Sequence, residues 1–491
     1  MSGDGSIGDD DDASAETLVC NGLNAATGSY LLPEIPTSVV SQLALGERLE
    51  TSEREELRAR YLALAGGIDY RPIDNVALGD LSQAGWGVVF AHDAPPSTRE
   101  ALRPLLDHRR AQASRVTNLY REYAGPDGHR PNETAGAFVA RHGVAPGERA
   151  NPAQMPYYLL LVGDPERIPY RFQYQIDVTR AVGRLHFDTD EEYARYADTV
   201  IASETGAGGP RSATFFGTRN ADDLPTRKSS EFLVRPLAQR VGERVAGCDV
   251  RTVLAEDATK PRLRAIMGGD QRSSLLFAAG HGVGFPNGDH RQREHQGALL
   301  CQDWPGPVQW RTEIPQDFYM AGDDIADDAH VEGMVAFFFA CYGLGTPKHD
   351  DFTREAMGTP AEVAPYAFVG RLPQRLLGHP NGGALAVVGH VERAWGYSFS
   401  WPGVTEPSDS FSDSICRLLN HLPVGAAVEP FNERYATLAT ELESEKESVA
   451  FGETPNAGKL SMFWTARNDA RNYAVFGDPA VRLPAPRSEA L

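Results

Sequence analysis

The segment "SSLLFAAGHGVGF", Ser273 to Phe285, runs an apolar stretch into a small-residue turn and sets His281 on that turn between two glycines. The segment "VEGMVAFFFACYGLGTP" repeats the arrangement. Val335 to Ala340 is apolar, and Cys341 follows at once, ahead of Tyr342 and Gly343. Apolar runs of this length read as buried strands, and the carboxyl ends of strands are where open α/β sheets hold their chemistry. If the two strands are parallel neighbours, an imidazole and a thiol emerge at one edge. A thiol needs a nearby base or imidazolium to act as a nucleophile near neutral pH. Gly282 and Gly284 let the backbone come close to a substrate carbonyl. The amides of Gly282 and Cys341 are the expected oxyanion-hole donors. From the residues alone a second account stands beside this one: Cys341 as a buried small hydrophobe and His281 as a structural turn residue.

Three other constellations carry less chemistry. His281, His290, His295 and Cys301 match no zinc spacing, and "PNGDHRQREHQ" reads as a solvated loop, so no metal is expected. "GETPNAGKL" has the wrong spacing for a phosphate loop and lacks the Ser or Thr after Lys459, and "GHGVG" opens no dinucleotide fingerprint, so no cofactor is expected. His349 and Asp350, just past Cys341, read as surface-loop residues.

The elements that must hold His281 and Cys341 are legible in outline. Apolar strands with little alternation are separated by helical segments, the pattern of a mostly parallel sheet covered on both faces by helices. In order come "WGVVFAHD", a helix over "STREALRPLLDHRRAQASRVTNLYREYAG" with Ser97 and Glu100 as a capping box, a helix over "ETAGAFVARHG", strand "YYLLLVGD", and a helix over "TDEEYARYADTVIASE" capped by Thr189 and Glu192. After a break at "TGAGGPRS" the alternation restarts with "SATFFGT", "CDVRTVLAED", "SLLFAAG", "GMVAFFFACYG" and "GALAVVGHV". The expected organisation is an acidic disordered N-terminus over 1–30, a helical extension over 31–74 that includes "TSEREELRARYLALAGG", a first α/β subdomain over 75–205, and a second over 210–491 beside it that carries the chemistry.

Composition bounds the partners. The chain has 491 residues, 41% hydrophobic and 23% charged, with a formal net charge of -20. An acidic surface excludes a general nucleic-acid binder and disfavours docking on anionic lipid. Five scattered cysteines, Cys20, Cys248, Cys301, Cys341 and Cys416, form neither a disulfide framework nor a zinc ribbon. With no secretory signal and no transmembrane run, a reduced cytoplasmic protein is expected.

"FAAGHG" and "FFFACYG" resemble the His-Gly and Ala-Cys signatures of the caspase-like cysteine peptidases, the clan of caspases, gingipains, legumain, separase and CHAT-domain proteases. Further segments are similar to the gingipain and CHAT branch: "YYLLLVGDPERIP", "VGRLHFDTDEEYARYADTVIASE", "NGGALAVVGHVERAWGYSF" and the closing "YAVFGDPAVRLP". The matches run in the family's order over roughly 155–485. The resemblance implies a caspase-like α/β fold and a cysteine endopeptidase, with Cys341 as nucleophile and His281 as acid and base. Such enzymes work largely with a dyad, so no third member is named. It also implies a primary specificity pocket walled by Trp395, near the loop before "SSEFLVRPLAQ". There Asp222, Asp223 and Glu392 favour a basic residue before the cleaved bond, while Arg227, Lys228 and Arg393 favour an acidic one. With the acidic net charge, the expectation leans to arginine or lysine. The expected partners are protein substrates and an activating protease or regulatory partner, with "GFPNGDHRQREHQG" and "TRNADDLPTRKSS" as loops open to nicking. Two rival functions remain: an inactive caspase-like scaffold, and a cysteine amidohydrolase acting on a small amide.

Overall fold

The computed structural model describes residues 76–350 apart from 207 and 210, then 361–401 and 409–485, together with two short strands near the N-terminus. The chain divides into two compact units, Met1–Tyr70 and Arg71–Leu491. In the first unit Thr17–Leu18 pairs antiparallel with Ile35–Pro36. The acidic N-terminus and the helix expected over "TSEREELRARYLALAGG" otherwise lie outside the described residues.

The second unit is built on one ten-stranded sheet. Its strands are β1 (Trp86–Phe90), β2 (Tyr120–Tyr123), β3 (Tyr158–Val162), β4 (Ala181–Leu185), β5 (Ser212–Gly217), β6 (Asp249–Leu254), β7 (Leu275–Ala279), β8 (Val335–Phe339), β9 (Ala386–His390) and β10 (Tyr473–Gly477). Their spatial order is β2-β1-β3-β4-β10-β9-β8-β7-β5-β6. All neighbours are parallel except β9 and β10. The expected α/β class and mostly parallel sheet are therefore what the chain forms. The two halves share a single sheet, joined where β10 slots between β4 and β9. Because β10 runs parallel to β4 and antiparallel to β9, the carboxyl ends of β1, β3 and β4 face the opposite edge from those of β5, β7, β8 and β9.

The strands read true because central parallel strands are apolar on both faces. β1, β3, β7 and β8 are buried along their whole length. The long helix expected here, with a kink at Pro104, is in fact divided. Residues 97–125 form a helix over Pro96–Ala101, then α1 (Arg103–Ala113), and then the edge strand β2. The break falls at Leu102, and Pro104 sits in the first turn of α1, where its missing N–H costs nothing. Ser97 makes no cap, whereas Thr189 and Glu192 do form a capping box on α2 (Asp190–Thr205). The strand expected as "SATFFGT" leads into α3 (Leu224–Ser229).

Below the strands that carry His281 and Cys341, aromatic rings pack in succession. Phe277 lies 5.3 Å from Phe337, Phe337 5.8 Å from Phe411, Phe411 5.1 Å from Phe431, and Phe431 4.1 Å from Tyr473. Phe411 belongs to α4 (Asp409–Leu419) and Phe431 to α5 (Glu429–Ala450). The last long helix, α6 (Ala457–Arg471), leads straight into β10.

Candidate active site

Strand register decides what meets at the edge. Ala279 of β7 pairs with Phe339 of β8 on one side and with Gly217 of β5 on the other. His281 and Cys341 each lie two residues past the Ala279–Phe339 pair, so they leave the sheet level with each other. The Gly280 N–H donates to the Phe339 carbonyl at 3.2 Å, which extends the pairing to the threshold of both turns.

The turn backbones are in contact. A Cβ placed on Gly282 would fall on the Cys341 carbonyl oxygen, and one on Gly297 would fall on that of Tyr342. Only glycine permits this approach. Residues 281–285 pair with 296–300 as a hairpin: Val283 N–H donates to Ala298 C=O and Leu300 N–H to His281 C=O, both at 2.9 Å. Gly282 sits opposite Leu299 between those two bonds. In that position its own N–H points out of the ladder. That leaves it available as an oxyanion donor. Tyr342, directly after Cys341, holds φ +58°, and Asp222, directly before Asp223, holds φ +55°. Non-glycine residues in the left-handed region store strain that the surroundings must hold in place.

The His281 Nε2 lies 2.9 Å from Asp223 Oδ2. Asp223 caps α3: it accepts from Thr226 N–H at 3.1 Å and from the Thr226 hydroxyl at 2.6 Å. Burial works to raise the Asp223 carboxyl, but the bonds to His281 and Thr226 outweigh it and hold the group below the usual carboxylate range. An ionised Asp223 accepting from Nε2–H fixes the imidazole tautomer, and Nδ1 is then the nitrogen left to exchange a proton. Asp223, expected near a substrate pocket, has its carboxylate bonded to the histidine. The segment "DDLPT" carries a helix-start signature, Asp with Pro two residues on, at the end of a strand next to the one bearing His281. That signal points to the site, although nothing in it names His281 as the partner.

Cys341 is half-buried. Its Sγ accepts from Ala394 N–H at 3.4 Å, so the loop after β9 runs beside the thiol. Burial pushes the Cys341 thiol above the ordinary thiol range; the Ala394 N–H and the Arg393 charge oppose this without cancelling it. The neutral thiol is therefore the favoured form of Cys341.

The same loop carries the other expected residues. Glu392 accepts Tyr342 N–H on its carbonyl at 2.8 Å, and its side chain bonds Arg393 at 2.9 Å. Arg393 also binds Asp350 through two bonds, at 2.9 and 2.6 Å. Asp350 is thus buried beside the site, which corrects the expectation of a surface loop. Trp395 is half-buried, and its backbone N–H donates to Asp469 Oδ1 at 2.8 Å. Asp469, wholly buried on α6, also bonds His390 Nε2 at 3.2 Å and the Ser398 hydroxyl. It ties the end of β9 and the loop after it to one carboxylate. Nothing in the sequence marked Asp469, because its partners lie more than 70 residues away.

The polar loop over 284–297 is held by hydrogen bonds of its own side chains. Gln292 is buried and its amide donates to Phe285 and Val363 carbonyls at 3.1 and 2.8 Å. His295 Nδ1 lies 2.8 Å from the Tyr319 hydroxyl. Among the described residues no three His, Cys, Asp or Glu side chains gather as a metal site requires, and no helix is long and apolar enough to cross a membrane.

The sheet and this edge define an α/β protein with an imidazole, a thiol and a carboxylate on three adjacent strand ends. No protein-family model matches the chain, and no curated protein matches it. Among solved structures it is similar to the Arg-specific cysteine proteinase gingipain R, at 13% identity over 84% of this chain and 80% of that one, with a TM-score of 0.48. It is also similar to the complex of Porphyromonas gingivalis RgpB pro- and mature domains, at 13% identity over 82% and 80% with a TM-score of 0.42. The separase–securin complex of Saccharomyces cerevisiae is a third, at 11% identity over 87% of this chain and 24% of that one, with a TM-score of 0.32.

Proposed function

We propose that this chain is a caspase-like cysteine endopeptidase of the gingipain and CHAT branch. The observation that supports it best is the level exit of His281 and Cys341 from adjacent parallel strands, with the imidazole held by Asp223. His281 Nδ1 takes the Cys341 proton as the sulfur attacks the peptide carbonyl. The N–H groups of Gly282 and Cys341 receive the oxyanion. The imidazolium then gives its proton to the departing amine, and water releases the acyl group from the thioester by the reverse use of the same base. Asp223 is a positioning residue in this scheme.

Trp395 walls the pocket for the residue before the scissile bond, and that residue is basic. The acidic net charge favours a cation there, while the carboxylates of Asp223 and Glu392 are already bonded to His281 and Arg393. The protein acts in the cytoplasm on protein substrates and is latent until cut or bound by a partner. The exposed tip over Pro286 to Gly288 is the site for nicking, since polar Gly/Pro-bearing tips are where proteolysis concentrates. The test is hydrolysis of peptidyl-coumarin libraries by the wild type, Cys341→Ala and His281→Ala. Both variants are expected to lose activity almost completely, since members of one catalytic unit are not additive. Activity retained in Cys341→Ala would end this reading, and a dominant preference for aspartate would reverse the pocket sign alone.

A further inference from the structure

A second cavity opens on the far side of His281. It has a volume of about 390 Å³ and is lined by His281 and Gly282 together with Val283, Phe285, Leu300, Trp304, Ile314 and Tyr319. Its walls come from a small apolar cluster separate from the main core, built where the hairpin 281–285/296–300 meets the short pairing of Leu299–Leu300 with Tyr319–Met320. Trp304 packs its ring edge against His281, with centroids 6.2 Å apart. At the rim Arg291 pairs with Glu313 and with Asp289, the latter at 2.9 Å, and lies 4.9 Å above the Phe285 ring. Those charges already have partners, so what the cavity offers a ligand is apolar surface.

Its position fixes which part of a ligand reaches it. Neither Cys341 nor any residue of the loop 391–395 lines the cavity, although that loop touches the Cys341 sulfur. In peptide cleavage the acyl half stays on the sulfur, on the side of that loop. The amine half leaves from the side of the imidazole that protonates it. The cavity thus meets the reacting centre at His281 and Gly282, on the leaving side.

We propose that this cavity is a specificity subsite for the residue that directly follows the scissile bond, and that it takes a large aliphatic or aromatic side chain. The inference rests on the cysteine-peptidase reading. The volume falls within the range of ligand pockets and holds one large side chain. Discrimination between a side chain that fills such a pocket and one that leaves it empty is roughly tenfold or more.

The experiment uses internally quenched peptides identical up to the scissile bond and carrying Gly, Asp, Lys, Leu or Phe after it. Peptidyl-coumarins, which have no residue there, run in parallel. The full chain is assayed before and after limited nicking, as wild type, Ile314→Arg and the milder Ile314→Ala. The expected wild-type result is kcat/KM for Leu and Phe roughly tenfold or more above Gly. The ratio of Leu to Gly should collapse in Ile314→Arg and shrink in Ile314→Ala. Equal cleavage of the Gly, Leu and Phe peptides, with peptidyl-coumarins hydrolysed, would overturn the subsite and leave the peptidase standing. So would an apolar preference that both variants keep. Absence of hydrolysis of both substrate types in every form would overturn both.

Discussion

At the scale of single residues, the environment pushes two groups of the candidate site in opposite senses. Asp223 is held ionised by its hydrogen bonds, and burial keeps Cys341 protonated. The sign of the Cys341 shift has a direct readout. Burial disfavours the thiolate, so its fraction at neutral pH lies below that of an exposed thiol, whose pKa is about 8.5. Alkylation of Cys341 by iodoacetamide should rise with pH through a midpoint above that value. A midpoint several units below it would show a preformed thiolate–imidazolium pair instead. Asp223→Asn keeps the shape but can donate to Nε2, which favours the wrong tautomer. The expected loss in kcat is on the order of 10²–10⁴-fold with little change in KM. A wild-type pH profile and rate in this variant would remove Asp223 from the scheme. His281 and Cys341 were legible as residues because each directly ends an apolar strand. Their link to Asp223 was not, since it depends on β7 lying between β5 and β8, which local pattern does not encode.

At the scale of elements, four strand ends do the positioning, and α6 anchors the last of them. Asp469 holds the loop that touches the Cys341 sulfur and carries Trp395. Asp469→Ala leaves His390, Ser398 and the Trp395 N–H without their acceptor. That should cost roughly 1–3 kcal/mol in a denaturant titration. The loop would also loosen, so KM should rise and preference at the residue before the scissile bond should weaken. Asp469→Asn should restore part of both. Unchanged preference in Asp469→Ala would show that the loop needs no such anchor. The central strands were readable because they are apolar on both faces. β2 was not: "YREY" is a polar edge strand shortly after helix α1, and the segment "SRVTNL" between them gives no clear stop to the helical pattern. Tertiary pairing with β1 overrides that local preference.

For the whole molecule, the closing "FGDP" motif explains how the two halves become one sheet. A Cβ on Gly183 of β4 would strike the Gly477 carbonyl of β10, so both glycines serve the join. Buried Asp478 accepts from Trp86 Nε1 of β1 at 2.9 Å and from Arg109 Nε of α1 at 2.6 Å, and Arg109 also bonds Glu204 of α2 at 2.7 Å. Arg109→Ala would take the cation away from two carboxylates, one of them wholly buried, and should lower stability by about 3–5 kcal/mol. A loss below about 1 kcal/mol in the same titration would mean the cluster is dispensable. The join also sets the direction of each half, so the candidate chemistry sits at one edge of the second half only. Covalent labelling tests the proposed cysteine chemistry most directly. The full chain, intact and after limited nicking, is treated with a peptide bearing a carbonyl electrophile, and the modified residue is located by mass spectrometry. The prediction is one label per chain, on Cys341, at a rate that falls sharply in His281→Ala. Labelling confined to Cys20, Cys248, Cys301 or Cys416, or no labelling of Cys341 in either form, would contradict it.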